Sequence, residues 1–138
     1  GELGIAHALK GDFSAAAAAM ETAIEMEPDD SWTRLLLGLI NLENNELEAG
    51  AEQLIRAAEE PSFDSEAQVL AALAAASAGW LDAAESTIAR AEFAAEDIDQ
   101  ELIEEARERI EDGAEAARAF LVETAAPLSL RDRLTQPL

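Results

Sequence analysis

The side chains able to do acid–base or nucleophilic chemistry are few in this chain. His7 is the only histidine among 138 residues, and cysteine is absent. A catalytic histidine needs a nucleophile to activate and an acid that orients it. No Ser/Asp arrangement near His7 supplies these groups. We therefore expect His7 to pack at the interface of the first helical unit, and we expect the chain not to be an enzyme.

Clustered carboxylates are the remaining candidates for chemistry, as metal ligands. Four of them would lie on one side of a helix, as in di-metal sites: Glu101, Glu104, Glu105 and Glu108. The Glu-x-x-His motif of such sites is missing, which favours a solvated helix face. Two aspartate pairs lack the spacing and glycine of a calcium loop and are expected to cap helices: Asp29/Asp30 and Asp97/Asp99. The isolated glycines form no phosphate loop, so we expect no metal and no cofactor.

The charge balance limits the partners that the chain can bind. Nine basic and thirty acidic residues give a formal net charge of −21 at pH 7. Such a chain repels phosphate, so we expect no nucleic-acid binding, whereas a basic protein would be attracted. Adaptation to salt or to a GC-rich genome would also explain the acidity, since Lys10 is the only lysine beside eight arginines. Both explanations stay open.

The apolar composition favours helices in one domain. Apolar residues make up 49% of the chain but aromatic residues only 4%, and much of the apolar content is alanine. Small side chains suit helices packed at close range, so we expect an all-α fold. The longest nearly uncharged apolar stretch, residues 69–81, is shorter than the about 20 residues that cross a bilayer. We expect no membrane span and take the cytoplasm as the default compartment, although the natural N-terminus could be missing because the chain opens inside a helical pattern.

Four series of residues recur every 34 positions, and this period predicts the architecture. They are Gly4/Gly38/Ala72/Ala106, Met20/Leu54/Ile88/Val122, Ala23/Ala57/Ala91/Ala125 and Gly11/Asn45/Gly79/Gly113. A period of this length indicates a repeating unit of two helices and a turn. We expect antiparallel helix pairs in units 1–30, 31–64, 65–97 and 98–126, followed by a tail at 127–138. The predicted helices are 3–9, 13–27, 31–43, 46–59, 65–78, 81–95, 98–112 and 114–125, the last ended by Pro127.

The same positions resemble the tetratricopeptide repeat family, whose unit is a 34-residue helix–turn–helix. Residues 6–13, in which Gly11 precedes Phe13, are similar to the turn of that family. Further matches to the family's later alanine, closing proline and Leu-Gly pair are Ala23, Pro28, Leu37 and Gly38. The resemblance covers nearly the whole chain to about residue 126, and it implies a right-handed α-solenoid of about four repeats that binds another protein.

The fourth unit departs from the pattern in a way that predicts a capping repeat. Polar residues replace the packing residues of earlier units at Glu105, Glu115 and Arg118. The last repeat of a solenoid needs such a polar outer face. Residues 98–125 are therefore expected to close the array as a degenerate C-terminal repeat.

The resemblance further implies a concave groove lined by the outgoing helix of each unit. The side chains that it places there are Trp32, Leu35, Leu39, Leu42, Val69, Leu73, Ile103 and Arg107. A groove that is apolar in the middle and acidic at its margins would bind an amphipathic helix or an extended apolar peptide with basic flanks. Trp32 would anchor the partner or fold onto the preceding return helix. The alternative for the leucines and Val69 is packing between neighbouring helices.

Two classes of function remain open for a chain of this kind. The first is a protein–protein interaction scaffold that recruits a peptide or protein through its concave face. The second is a structural or self-associating segment of a larger helical-repeat protein, which would be recognised by a tight homodimer. The sequence names no partner for either.

The tail after Pro127 combines apolar and basic residues. The tail contains the apolar residues Leu128, Leu130 and Leu134. It also contains Arg131 and Arg133, which are opposite in charge to the acidic body. We expect the tail to fold back onto the last helix pair or into the groove itself. The alternative is a linker towards a further domain. Ser129 and Asp132 resemble a capping box, which predicts one short helical turn.

Overall fold

The structure, a computed structural model, describes residues 2–59, 65–94 and 100–135, and all regular elements in these ranges are helical. The all-α expectation is confirmed for these residues. The helices are α1 (Glu2–Leu9), α2 (Phe13–Met26), α3 (Ser31–Glu43), α4 (Leu47–Ala57), α5 (Ser65–Ser77), α6 (Leu81–Ala94), α7 (Gln100–Asp112), α8 (Ala114–Phe120), a π-helical segment (Leu121–Ala125) and α9 (Ala126–Thr135). The caps predicted at Asp97 and Asp99, and the tail beyond residue 135, lie outside the described residues.

Helical hairpins recur along the described chain at the predicted interval. The return helices α2, α4 and α6 begin at Phe13, Leu47 and Leu81, each 34 residues after the one before. Helices α3 and α5 begin at Ser31 and Ser65, which keep the same spacing. Each outgoing helix packs most extensively on the return helix that follows it: α1 on α2, α3 on α4 and α5 on α6. The period in the sequence therefore marks one helical hairpin.

The turns inside the first three hairpins share one backbone geometry. Gly11, Asn45 and Gly79 have positive φ angles of 82°, 61° and 86°. In each turn, the amide of the following residue donates to the carbonyl five positions earlier over 2.8–3.0 Å. This is the Schellman arrangement, which needs a left-handed residue and hence glycine or asparagine. The recurrence of Gly, Asn and Gly in the sequence has this physical cause.

A close contact inside the hairpins explains two more of the recurring series. A Cβ atom added to Gly38 on α3 would lie 2.9 Å from Leu54 Cγ and 3.1 Å from the carbonyl oxygen of Gly50, both on α4. The same pairing occurs one unit earlier, where a Cβ on Gly4 would lie 2.6 Å from Met20 Cγ. The small residue of the outgoing helix therefore faces the large residue of the return helix. The two series recur with the same period because each hairpin brings one residue of each series into contact.

Substitution of Gly38 by alanine is expected to destabilise the domain. Alanine gains about 0.5–1 kcal/mol over glycine inside a helix, but an overpacked contact costs about 1–3 kcal/mol. Leu54 is fully buried and the Gly50 carbonyl belongs to the backbone, so neither can easily give way. Chemical denaturation should show a lower free energy of unfolding for Gly38→Ala. The matched control is Gly11→Asn, which installs the residue that Asn45 already supplies in the next turn and should change stability by less than about 0.5 kcal/mol.

The last described helices form one continuous helical run, which corrects the predicted end at Ala125. Helix α8 passes through the π-helical segment into α9 without a break, and Pro127 lies inside α9. Within this segment the amide of Ala126 donates to the carbonyl of Leu121, five residues earlier. Proline has no N–H and clashes with the carbonyl four residues before it in a regular α-helix. The wider π-helical turn accommodates the proline ring, so the helix continues instead of ending.

The fourth hairpin, formed by α7 and α8, also contacts a helix of an earlier hairpin. Helix α7 packs on α8, and the Arg109 guanidinium of α7 lies 5.5 Å from the centre of the Phe120 ring of α8. The Arg109 guanidinium donates a hydrogen bond to the Glu105 carboxylate, and this bond raises the pKa of Arg109 above its usual value. Helices α7 and α8 and the π-helical segment all contact α5, while α9 contacts α3 and α1. The C-terminal helices therefore cover the outgoing helices of the second and third hairpins.

Carboxylates crowd the surface of the described helices, and several of the ion pairs formed there are exposed, such as Glu52 with Arg56 at 3.1 Å. We expect sodium chloride to raise the melting temperature, because the net charge of −21 makes the folded chain repel itself. Most of the rise should appear by about 0.1–0.2 M salt, where the screening length has already fallen to about 10 Å. A flat or falling melting temperature across this range would contradict the expectation. A rise that began only near molar salt would indicate salting-out instead.

Candidate partner-binding surface

The structure buries most of the residues predicted to line the groove. Exposure is 4% or less at Leu35, Leu39, Leu42, Val69, Leu73 and Ile103. Trp32 is half-buried and packs against the core. Arg107 is half-exposed and pairs with Glu92 of α6. The structure thus brings the apolar members of the predicted site together, but as buried side chains and not as the walls of an open groove.

The cover over these residues is the chain's own C-terminal region. Helix α9 packs on α3 and α1, and α7, α8 and the π-helical segment pack on α5. Helix α3 has no exposed residue from Thr33 to Leu42, and α5 none from Ala67 to Ala76. Helices that are apolar on all sides are buried on all sides. Helices α3 and α5 are therefore enclosed between the return helices and the C-terminal helices.

Helix α9 is amphipathic and lies with its apolar side on the body. Ala126, Ser129 and Leu130 are 1%, 3% and 4% exposed, and Leu134 is half-buried against the core. These positions recur at helical spacing, so they form one face. Leu128 and Asp132 are exposed on the other side. The described residues of the tail fold back, as expected. They pack on α1 and α3 and not mainly on the last helix pair, which was one of the two expected places.

A polar contact joins the end of α9 to α5. The side chain of Arg133 is only 12% exposed, and its guanidinium lies 3.5 Å from the Glu66 carboxylate on the first turn of α5. Arg133 Nε also donates to Ser129 Oγ at 3.0 Å. Ser129 is thus buried inside a helix, and the predicted capping box with a single helical turn is wrong. The sequence interpretation missed the contacts of Ser129 and Glu66 with Arg133. The four-residue spacing of Ser129 and Arg133 was the available signal for the first of them.

The surface beside α9 is not completely filled. A cavity of about 290 Å³ lies between α9 and the body, and its lining consists of Ala8, Leu9, Phe13, Glu43, Pro127, Leu130, Arg131 and Leu134. Leu9, at the end of α1, remains 59% exposed. The body side of this cavity is apolar with one carboxylate at its margin. We call the face of α1 and α3 that lies under α9 the α9 site.

The described residues form neither a metal site nor a membrane span. Among residues 2–59, 65–94 and 100–135, no group of three or more His, Cys, Asp or Glu side chains is placed to hold a metal ion. In the same ranges, no helix is both long and apolar enough to span a membrane. His7 is half-buried, and its carbonyl accepts the bond that closes the first turn.

Comparison with known proteins adds no relative to this description. No protein-family model, curated protein or solved structure matches the chain significantly. The resemblance to tetratricopeptide repeats therefore rests on the residues quoted above alone.

Proposed function

We propose that this chain is a protein–protein interaction scaffold with a tetratricopeptide-like α-solenoid architecture, and that its α9 site receives an amphipathic helix. The single observation that carries the proposal is the position of α9. This helix rests on α1 and α3 with Leu130 buried and with Arg133 beside Glu66. Helix α9 thus combines an apolar face with basic residues at its edge. The sequence predicts a ligand of the same kind for the groove. Helix α9 is thus an intramolecular occupant of the proposed binding site.

The contacts of α9 are few enough for another helix to replace it. Leu130 is its one large fully covered side chain, and burial of a leucine contributes about 1.5–3 kcal/mol. Glu66 is 38% exposed, and surface ion pairs of this kind contribute little. Pro127 further weakens the helical connection that presents α9 to the body. The main advantage of α9 is its covalent connection to α8, which makes its docking intramolecular.

A peptide added in trans tests the proposal. The probe is a fluorescently labelled peptide of residues 121–138, titrated into the full chain and into Leu130→Glu, in which the tethered α9 cannot dock. We expect the variant to bind the peptide at least about tenfold more tightly, because its site is no longer occupied. A peptide that itself carries Leu130→Glu should not bind. Equal affinity for both chains, or no binding by a folded variant, would contradict the proposal.

A second candidate function is stacking on another helical-repeat unit. Helix α1 packs on α2 and α9, yet Leu3 and Leu9 remain 64% and 59% exposed. Exposed leucines at the end of a helical array are typical of a face that continues onto a neighbour. Sedimentation separates this candidate from the first. A tight dimer that Leu3→Glu converts to a monomer would favour self-association, and a monomer at all concentrations would favour the scaffold.

A further inference from the structure

A second apolar surface lies along the edge formed by the turns within the hairpins. Phe13, Leu47 and Leu81 are the first residues of α2, α4 and α6, so the repeat places them in a row on this edge. Trp80, which directly precedes Leu81, is 48% exposed, and Leu81 is 50% exposed. We call the part of this row formed by Leu47, Trp80 and Leu81 the turn edge.

Two hollows flank Trp80 and Leu81. The first, of about 250 Å³, is lined by Leu47, Glu48, Ala51, Ala78 and Trp80. The second, of about 420 Å³, is lined by Leu81, Glu85, Ile88, Arg107, Ile110 and Glu111. The first hollow is smaller than the about 300 Å³ at which small-molecule sites begin. Its size suits an inserted side chain, and the two hollows together suit consecutive side chains of one segment.

The folding of the turn does not require a tryptophan at position 80. The backbone amide of Trp80 closes the turn by donating to the carbonyl of Ala75 at 2.8 Å. Asp12 and Glu46 make the same backbone contact in the two earlier turns, so side chains of very different kinds serve there. A half-exposed tryptophan beside a hollow is, however, the residue type most enriched at the centres of protein interfaces.

The charges around the turn edge select the partner. Glu48, Asp82, Glu85 and Glu111 are all exposed near the two hollows. The positive charge of Arg107 is paired with Glu92. A second copy of the chain would bring another net charge of −21 and would be repelled. A segment with basic residues beside its apolar ones would instead be attracted and oriented.

We propose that the turn edge is a docking surface for a basic amphipathic segment of another protein, which inserts apolar side chains on either side of Trp80. Neither hollow is lined by a residue of α9. The surface is therefore separate from the α9 site, and both can be occupied at once. The scaffold would then hold two partners, or two segments of one partner.

Fluorescence of Trp80 tests this proposal directly. The chain has two tryptophans, so Trp32→Phe leaves Trp80 as the only one. The probe is an amphipathic helix of leucine and lysine, about 18 residues long so that it is stably helical. We expect saturable binding with a blue shift of the Trp80 emission, because the ring leaves water. A helix with serine in place of leucine and the same lysines should give no shift.

Substitutions then locate the binding. With a labelled probe, Trp80→Ala should weaken the affinity at least about tenfold, and the exposed substitution Glu48→Lys should weaken it without affecting folding. The matched control is Phe93→Ala, because Phe93 is 95% exposed near the other end of α6. That control should leave the affinity unchanged. Binding that is unaltered by Trp80→Ala, that occurs without an emission shift, or that is absent altogether would overturn the proposal.

Discussion

Leu39→Glu and Leu73→Glu are each expected to unfold the domain. Both leucines are fully buried, at 0% exposure. A glutamate without a partner in such a place costs several kcal/mol, which approaches the about 5–15 kcal/mol of a whole domain. The milder Leu73→Ala should lower the free energy of unfolding by about 2–5 kcal/mol. Thermal denaturation followed by circular dichroism measures all three variants.

Leu3→Glu provides the matched control for these substitutions. It makes the same chemical change on α1, where the side chain is 64% exposed, and should shift stability by less than about 0.5 kcal/mol. If Leu39→Glu or Leu73→Glu melted like the wild-type chain, the outgoing helices would have to be open to water. The covering by α8 and α9 would then be incorrect.

Leu130→Glu is expected to release α9 while the rest of the domain stays folded. Leu130 is the large apolar side chain by which α9 rests on the body, and a charge there opposes docking. Amide hydrogen exchange should become much faster in α9 and in the facing parts of α1 and α3. Protection in α4, α5 and α6 should persist, because local opening exposes only the cooperative unit that contains α9.

Leu128→Glu is the control for this release. Leu128 lies in the same helix but is 51% exposed, so the added charge faces water. Its exchange pattern should match that of the wild-type chain. Global loss of protection in Leu130→Glu would show that α9 is an integral part of the core, and the proposal of an exchangeable occupant would fail.

Local features of the fold were predictable from the sequence because they depend on local physics. The positive φ angles of Gly11, Asn45 and Gly79 are required by the turn, and the turn requires glycine or asparagine. Asp30 was expected to cap a helix, and its Oδ1 accepts from the Thr33 amide at 3.1 Å. The starts of the described return helices followed from the same period. For the turns and the Asp30 cap, the determining residues lie within a few positions of the feature.

The C-terminal run was not predictable in the same way. Pro127 ordinarily ends a helix, and the sequence contains no signal that a π-helical turn will absorb it. The turn is compatible with the fold because α8 packs on α5 while α9 packs on α3 and α1. Such contacts join residues that are far apart in the sequence, and a pattern within a few residues cannot predict them. The predicted single turn at Ser129 was therefore wrong, whereas the return of the tail followed from its leucines.

The burial of the predicted groove could have been inferred from α5 itself. From Ala67 to Ala76 this helix has apolar residues on every side apart from Gln68. A helix that lines an open groove keeps a polar or exposed stripe, but a helix without one is enclosed. The choice between groove and packing was left open because the resemblance suggested a concave face. What covers that face depends on α8 and α9, which the repeat period does not describe.

The most direct test of the α9 site is to locate a helix bound there in trans. Two-dimensional NMR spectra of the isotopically labelled Leu130→Glu chain would be recorded during titration with the unlabelled peptide of residues 121–138. We predict that the largest shifts of backbone amides occur in α1 and α3, the helices that α9 contacts in cis. Shifts concentrated on the return helices α2, α4 and α6, or no shifts at saturating peptide, would contradict a helix-binding site at this face.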